Sequence, residues 1–132
     1  MIGLRKSMSG AVIGLLWLAA CGGTSSSGLA TTTITLSSTG VSPKAASVSG
    51  GSLVDIVNSD SVAHQLASNR DPPQADCPEL NTPVLAPGDQ FTATISNRDG
   101  TCGFEDRLNP TDSNFQGTIT VTISPTTMSG GY

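Results

Sequence analysis

The sequence predicts an all-β domain, an antiparallel sandwich or barrel, on two observations. Apolar side chains in the body of the chain recur with a period of two, as they do in a strand with one buried face, and no segment there has helical periodicity. Turn-forming groups rich in Gly, Pro, Asn and Asp separate these segments at short intervals, for example "APGD" at 86–89 and "NRDG" at 97–100.

Five segments are predicted to be strands. "TTITL" at 32–36, "FTATIS" at 91–96 and "GTITVTI" at 117–123 each alternate an apolar face with a threonine face. Threonine is β-branched and suits the exposed face of a sheet. "SLVDIVN" at 52–58 is more continuously apolar, which predicts a more buried strand. A further strand begins at Thr101 and reaches the last one through a loop rich in Pro and Asn.

The first 21 residues carry the features of an export signal. Arg5 and Lys6 precede an apolar run at 11–20 that is too short for a typical spanning helix. The run ends in "LAAC", which resembles the bacterial lipobox and implies that residues 1–20 are a signal peptide and that Cys21 is acylated. Each buried CH₂ of a lipid contributes about 0.8 kcal/mol to membrane attachment. The alternatives are a soluble secreted protein cleaved elsewhere and an uncleaved anchor.

The rest of the chain divides into three parts. Residues 21–30 form a Gly/Ser/Thr tether, 31–124 are one small domain, and 125–132 are a frayed tail. We expect a monomer in the bacterial cell envelope, bound to the membrane through Cys21. Gly22 is not the aspartate associated with inner-membrane retention, which favours the outer membrane, with the domain facing the periplasm.

Charge and composition exclude several classes of function. Without Arg5 and Lys6 the chain keeps four basic and ten acidic residues, a net charge of −6. Nucleic acid is therefore not an expected partner, and neither is an anionic headgroup. The chain has one histidine, no Gly-rich phosphate loop and no plausible Ser-His-Asp arrangement, so we expect no catalytic residues and no enzyme activity. The sequence does not identify a protein partner.

Two cysteines remain after Cys21. Cys77 lies in a connection, residues 69–83, whose four prolines rule out a central strand, and Cys102 lies in the strand that begins at Thr101. Export places both thiols in an oxidising compartment, where a disulfide is the simplest outcome. The alternative is that Cys102 ligates a metal.

The order of these motifs resembles the cupredoxin, or plastocyanin-like, family over about residues 34–121. "NSDSVAH" at 58–64 matches the family's N-x-D-x-x-x-H, and "PGDQF" at 87–91 matches its P-G-x-x-F strand. "GTCGFEDRLNP" at 100–110 occupies the position of its metal loop. The resemblance implies a Greek-key β-sandwich of cupredoxin type, held here by one disulfide.

The same resemblance shows where the metal positions differ. His64 matches the family's first histidine ligand, whereas the ligand cysteine falls on Asp106 and the second histidine on Asn109. The segment directly before Gly117 is longer than the family's and has no methionine, and Phe115 is the nearest large residue. A type 1 copper centre needs a thiolate and two imidazoles, which one histidine cannot supply.

A narrower group of bacterial envelope cupredoxin-like domains is more similar still. It shares "DCPELN" at 76–81 and "CGFEDRLNP" at 102–110, and it pairs the two cysteines. Its members often carry histidines where this chain has Glu105 and Arg107.

We therefore expect a lipid-anchored binding or interaction module that lacks a complete type 1 site and requires no cofactor. The alternative is a copper-binding or copper-handling protein related to electron transfer, with His64, Glu105 and Asp106 as ligands.

Overall fold

Eight strands form in the parts of the chain that the structure, a computed structural model, describes: residues 28–69 and 77–123. The predicted signal peptide, Cys21, most of the predicted tether and the predicted tail lie outside the described residues, as do residues 70–76. The strands are β1 Thr31–Ser37, β2 Gly40–Ser42, β3 Ala45–Ser49, β4 Leu53–Asn58, β5 Leu66–Asn69, β6 Gln90–Thr94, β7 Gly100–Asp106 and β8 Gln116–Thr122.

The strands form two four-stranded sheets that pack face to face. One has the order β2-β1-β4-β6 and the other β3-β8-β7-β5. The two-sheet all-β sandwich expected from the sequence is confirmed, but it is not antiparallel throughout. β1 pairs with β4 in parallel and β3 pairs with β8 in parallel, while the other pairings are antiparallel. Hydrophobic periodicity reports which face of a strand is buried and carries no information on its partner's direction.

The core consists of the apolar faces that the period of two predicts. Ile34 and Leu36 of β1 are buried, as are Ile119 and Val121 of β8. Ile123 was expected on the same face as the latter two, but it is half exposed because β8 ends at Thr122. The strands that sequence periodicity missed are β2, β3 and β5, which have three to five residues and few apolar side chains.

Close packing of β8 against its neighbours in the same sheet requires a glycine near the start of the strand. A Cβ on Gly117 would overlap the ring of Phe104 and the backbone oxygen of Lys44. Gly117 pairs with Phe104 in the ladder, and the ring occupies the space that a side chain would need. The F-x-G spacing at residues 115–117 thus brings the end of the last loop close to β7.

A disulfide joins Cys77 to Cys102 of β7, as predicted, with a Cα–Cα distance of 5.8 Å. Both cysteines are fully buried, so Cys102 is not available as a metal-ligating thiolate. Asn69 ends β5, and the rest of the described part of the 69–83 connection contains a short 3₁₀ helix, Pro78–Leu80, and no strand. With a sequence separation of 25 residues, the bridge stabilises the fold by about 3–4 kcal/mol on the chain-entropy model.

No α-helix occurs in residues 28–69 and 77–123, and none of the helical turns there is long and apolar enough to cross a membrane. The loops at one end of the sandwich follow β4 and β7. These loops bring together the polar residues that the sequence singled out.

Candidate functional site

His64 lies at the end of the sandwich where three segments of the chain meet. Its backbone N–H donates to the carbonyl of Leu85 over 3.1 Å, and the N–H of Leu85 donates back over 2.8 Å. β7 ends beside it at Asp106, and the 3₁₀ helix Ser113–Phe115 supplies an aromatic ring. The backbone bridge to Leu85 therefore fixes the imidazole among groups from distant parts of the sequence.

Asn58, the last residue of β4, shapes the loop that leads to His64. Its fully buried side chain donates from Nδ2 to the carbonyls of Val62 (2.8 Å) and Leu85 (2.9 Å). Its Oδ1 accepts the backbone N–H of Asp60 over 2.9 Å. One amide side chain thus satisfies three backbone groups and folds residues 59–63 back over the end of the sheet.

Both ring nitrogens of His64 are hydrogen-bonded to carboxylates. Nδ1 lies 2.7 Å from Oδ2 of Asp106, and Nε2 lies 3.0 Å from Oδ2 of Asp60. An ionised carboxylate only accepts hydrogen bonds, so both contacts are satisfied together when the ring is a doubly protonated imidazolium. Burial lowers the pKa of His64, but the hydrogen bonds and charges of Asp106 and Asp60 outweigh it and raise the pKa above the ordinary value.

Asp106 is held as a carboxylate by four donors, although its side chain is 0% exposed. Asp106 Oδ1 accepts hydrogen bonds from the backbone N–H groups of Gln65 (2.9 Å) and Leu108 (3.1 Å). Asp106 Oδ2 accepts a hydrogen bond from Nδ2 of Asn109 (2.7 Å) and also contacts His64 Nδ1. Burial raises the pKa of Asp106, but the donors, with His64 foremost, more than compensate and lower it. The loop after β7 is therefore organised around this carboxylate.

Asp60 holds the other side of the ring. The hydrogen bond from His64 is the main cause that lowers the pKa of Asp60, followed by the N–H of Ser61, which donates to Oδ1 over 2.6 Å. The Asp60 side chain is 7% exposed, so it lies nearer the surface than Asp106. We call Asp60, His64 and Asp106 the Asp–His–Asp network; it carries two negative charges and one positive charge.

Phe115 covers the face of the imidazole. The two ring centroids are 4.7 Å apart with an interplanar angle of 28°, within the distance at which a cation is attracted to an aromatic face. Asp112 positions this ring because its side chain caps the 3₁₀ helix by accepting the N–H of Asn114 over 2.9 Å. The imidazolium is therefore shielded from solvent, and His64 is 1% exposed.

Two of the three candidate ligands meet, and the third does not join them. His64 and Asp106 are in direct contact, whereas Glu105 precedes Asp106 in β7 and points to the opposite face of the sheet. The Glu105 carboxylate instead accepts Nδ2 of Asn69 over 3.2 Å. Within residues 28–69 and 77–123, no group of three or more His, Cys, Asp or Glu side chains is arranged to hold a metal ion.

Sequence reasoning placed Asp106 and Asn109 beside His64 but missed two of the imidazole's partners. Asp60 was recognised only as part of the N-x-D framework, although its i,i+4 spacing to the single histidine could have suggested a contact. Phe115 was noted as the large residue nearest the missing methionine. Its stacking on His64 depends on the fold of the 107–115 loop, which no local pattern specifies.

Comparison with solved structures identifies the fold. The chain superposes on a purple cupredoxin from Nitrosopumilus maritimus with a TM-score of 0.57 and 23% identity, covering 68% of this chain and 98% of that one. Plastocyanin from Dryopteris crassirhizoma gives a TM-score of 0.57 and 20% identity over 69% of this chain and 100% of the other. A copper-containing nitrite reductase from Thermus scotoductus SA-01 gives 0.56 and 21%, covering 70% of this chain and 22% of that one.

The resemblance expected from the sequence is thus confirmed at the level of the fold. No family model matches the chain, and no curated protein matches it by sequence. Because the structural neighbours are less than 25% identical to this chain, they establish a cupredoxin-like fold and nothing about its ligand.

The residues present do not fit the type 1 copper that the fold implies. That centre uses a thiolate and two imidazoles in a trigonal arrangement. Here the thiolate position holds Asp106, the second imidazole position holds Asn109, and Cys102 is oxidised. Both nitrogens of the single histidine lie within hydrogen-bonding distance of a carboxylate, so a metal would have to displace one of these contacts to reach the ring.

Replacing Asp106 with asparagine tests whether the network is structurally important. The amide has nearly the same shape, but it removes the negative charge and leaves a buried imidazolium without its main partner. We expect Asp106→Asn to lower the free energy of unfolding by about 3–5 kcal/mol, measured by urea denaturation near pH 5.5. Asp55→Asn is the matched control, because Asp55 bonds the Thr92 hydroxyl at an exposed site, and we expect it to cost less than about 1 kcal/mol. Equal losses in the two variants would contradict the assignment.

The network also predicts how stability varies with pH. The pKa of His64 is raised, so its contribution is complete below its ordinary value of 6.5 and is lost as the pH rises through the folded-state pKa. The pKa values of Asp60 and Asp106 are lowered, so their contributions are complete above 3.8 and are lost as the pH falls through the folded-state values. Stability measured by denaturation should therefore be greatest between about pH 4 and pH 6.5. A His64→Gln variant should lack the alkaline decline, and an identical decline in that variant would assign it to other groups.

Proposed function

We propose that this chain is a non-enzymatic binding module of the bacterial cell envelope, anchored to the outer membrane through a lipid on Cys21, with a cupredoxin fold that does not carry a type 1 copper centre. The observation that carries the proposal is the engagement of both His64 nitrogens by Asp106 and Asp60. A cupredoxin that transfers electrons needs its first histidine as a ligand, whereas this histidine is a buried cation between two carboxylates.

The end of the sandwich that holds the network is the best candidate for the binding surface. Large hydrophobic side chains are exposed at five positions of the described residues: Leu29, Val62, Val84, Leu108 and Ile123. Three of these five, Val62, Val84 and Leu108, lie within two residues of His64, Leu85 or Asp106, which bond to one another. They are 54%, 54% and 48% exposed, and exposed apolar groups that share one region favour contact with a partner.

The acidic surplus of the chain favours a partner that is not itself strongly acidic. The Asp–His–Asp network keeps one net negative charge at this end, and the exported chain has a net charge of −6. A partner with apolar and cationic side chains would complement both properties.

The alternative function is copper binding through His64 with acidic ligands. It has the support of the fold, whose solved neighbours include the copper-containing nitrite reductase. Copper binding would require one ring nitrogen of His64 to lose its proton and its hydrogen bond to a carboxylate. The third candidate ligand, Glu105, points away from His64. A metal-loading measurement separates the two functions.

The full chain, purified in non-ionic detergent, would be incubated with Cu²⁺ or with Cu⁺ under reducing conditions that spare the buried disulfide. It would then be desalted and assayed for bound metal beside His64→Ala. We expect no stoichiometric copper in either protein, because the donors are already paired with protons. One copper per chain that disappears in His64→Ala would overturn the proposal and support copper handling. Copper retained equally by both proteins would place the metal elsewhere in the chain.

The binding surface is tested by photo-crosslinking in living cells. A photoreactive amino acid would be introduced separately at Val62, Val84 and Leu108, and at Thr120 as an exposed control in the middle of β8. We expect the same adduct from at least two of the first three positions and none from Thr120. Adducts of equal yield at Thr120, or none at any of the three, would contradict the assignment of this end as the binding surface.

A further inference from the structure

One edge of β6, the strand Gln90–Thr94, presents backbone groups that no other segment of the described chain pairs. β6 is the last strand of its sheet and bonds to β4 on one side. Just beyond its end, the N–H of Ile95 donates to the carbonyl of Ser52 over 2.9 Å. Just before its start, the carbonyl of Asp89 accepts the N–H of Asn58 over 2.9 Å. The backbones of Asp89 and Ile95 therefore face β4.

The alternation of an antiparallel strand then fixes which residues face outward. Backbone N–H and C=O groups point toward the partner strand at one residue and away from it at the next. Because residues 89, 91, 93 and 95 face β4, the residues Gln90, Thr92 and Thr94 turn their N–H and C=O groups to the open edge. No hydrogen bond of the described residues uses these outward groups, and the three side chains are exposed. The edge is therefore free to accept another strand.

Other edges of the sandwich are closed or protected by the chain itself. On β5, the N–H and the carbonyl of Leu66 bond Thr82 over 3.0 and 2.9 Å. A Pro-Lys pair at 43–44 precedes β3, and both residue types protect edge strands from pairing. Glu79 accepts the N–H of Ser96 over 3.1 Å, which is beyond the end of β6. β6 itself contains no Pro and no charged residue.

We propose that β6 pairs with β6 of a second copy of this chain, antiparallel and about a two-fold axis at Thr92. In this register Thr92 lies opposite Thr92 of the second copy, and Gln90 lies opposite its Thr94. Every outward N–H of one strand then donates to an outward carbonyl of the other. A shift of the register by one pair leaves some of these groups unpaired. The two four-stranded sheets join into one continuous sheet across the axis.

The absence of charge on β6 is the reason to choose a second copy as the occupant. In a two-fold contact, a side chain near the axis meets the same side chain of the other copy. The exported chain has four basic and ten acidic residues, so most of its surface would place like charges together. Asp55, which accepts the hydroxyl of Thr92, lies one strand further in. The two Asp55 carboxylates would be three strand spacings, about 14 Å, apart, which exceeds the Debye length of about 8–10 Å.

The side chains of β6 also suit their own copies. Threonine pairs that face each other across antiparallel strands are favourable, and Thr92 would form such a pair. On the inner face, Phe91 packs against the core but remains partly exposed at the edge. In the proposed register it lies opposite Ala93 of the second copy, which would cover part of its ring. The pairing thus removes both unsatisfied backbone groups and apolar surface from water.

This self-pairing goes beyond the proposed binding function and does not depend on it. It replaces the monomer expected from the sequence with a weak, reversible dimer, because one five-residue strand buries less than the roughly 1,200–2,000 Å² of a stable interface. In the antiparallel arrangement the two tethers leave from opposite ends of the paired strands. Ten extended residues reach about 33 Å, so two chains acylated at Cys21 as proposed could still attach to one bilayer.

The first test measures association of the full chain, purified in density-matched detergent, by sedimentation velocity up to about 1 mM. We expect a concentration-dependent equilibrium of monomer and dimer. In ¹⁵N NMR spectra of the same samples, the amides of Gln90, Thr92 and Thr94 should gain protection from exchange as the concentration rises. The amides of Phe91 and Ala93, which face β4, should be protected throughout. A chain that stays monomeric, or a dimer that leaves the outward amides unprotected, would overturn the proposal.

Charge variants test the register. Thr92→Lys places two lysines opposite each other and should raise the dimer Kd at least about tenfold. Thr120→Lys, at an exposed position in the middle of β8, is the matched control and should leave the Kd unchanged. A Kd that responds equally to both substitutions, or to neither, would show that the copies do not meet at Thr92.

Two double variants at the same positions separate this register from a general effect of charge. Gln90→Lys with Thr94→Glu places opposite charges across the axis and should tighten the dimer. Gln90→Lys with Thr94→Lys places like charges there and should weaken it, although it lowers the net negative charge of the chain. The reverse order of the two Kd values would overturn the proposed pairing. If Thr92→Lys does not fold, as judged by its urea transition, the double variants and the wild-type chain decide.

Photo-crosslinking in living cells distinguishes a second copy from a strand of another protein. A photoreactive amino acid at Thr92 should give an adduct of twice the mass of the chain, whereas the same group at Thr120 should give none. An adduct of any other mass at Thr92 would show that a different protein occupies the edge and would overturn self-pairing. Equal yields of the double-mass adduct at Thr92 and Thr120 would likewise contradict it.

Discussion

The hydrogen bond between His64 Nδ1 and Asp106 Oδ2 is the interaction on which this end of the molecule depends. It joins the loop that leaves β4 to the end of β7, segments 42 residues apart in the chain. Gln65 and Leu108 donate their backbone N–H groups to the same carboxylate, so the path of both loops follows from one charge. A buried carboxylate is tolerable when its acceptor positions are filled, and here four donors fill them.

The network also explains how a cupredoxin-like sandwich can close this end without a metal. In a type 1 centre, one ion would draw together ligands from the two loops. Here the imidazole of His64, on the loop after β4, bonds Asp106 at the end of β7 and Asp60 within its own loop, and the ring of Phe115 packs on its face. The disulfide between Cys77 and Cys102, which are both fully buried, supplies a second link between distant parts of the chain. The fold therefore holds its loops by covalent and electrostatic links that lie in separate places.

Much of the fold was predictable because strong alternation marks the central strands. Ile34 and Leu36 are buried as their spacing indicates, and Ile119 and Val121 likewise. The strand β3 was missed because Val48 is its one buried residue, and its parallel pairing with β8 depends on a partner about 70 residues away. At the site, motif counting placed Asp106 next to His64, but a count of ligands could not show that Asp60 would bond the second nitrogen. That contact depends on the curvature of one loop, which Asn58 sets through three hydrogen bonds.

Because β1 and β4 run parallel, the proposed lipid attachment and the His64 loop belong to opposite ends of the domain. In this register Thr31 lies opposite Leu53, and Leu36 lies opposite Asn58, so the start of β1 and the His64 loop are at opposite ends of the sheet. A strand of seven residues spans about 20 Å, roughly the height of the sandwich. If the chain is acylated at Cys21 as proposed, the attachment would reach the domain at the start of β1, the end of the sheet opposite the His64 loop and its exposed apolar neighbours. Such a module would meet its partners from the aqueous side of the envelope, and its reach would be set by the ten residues of tether that precede β1.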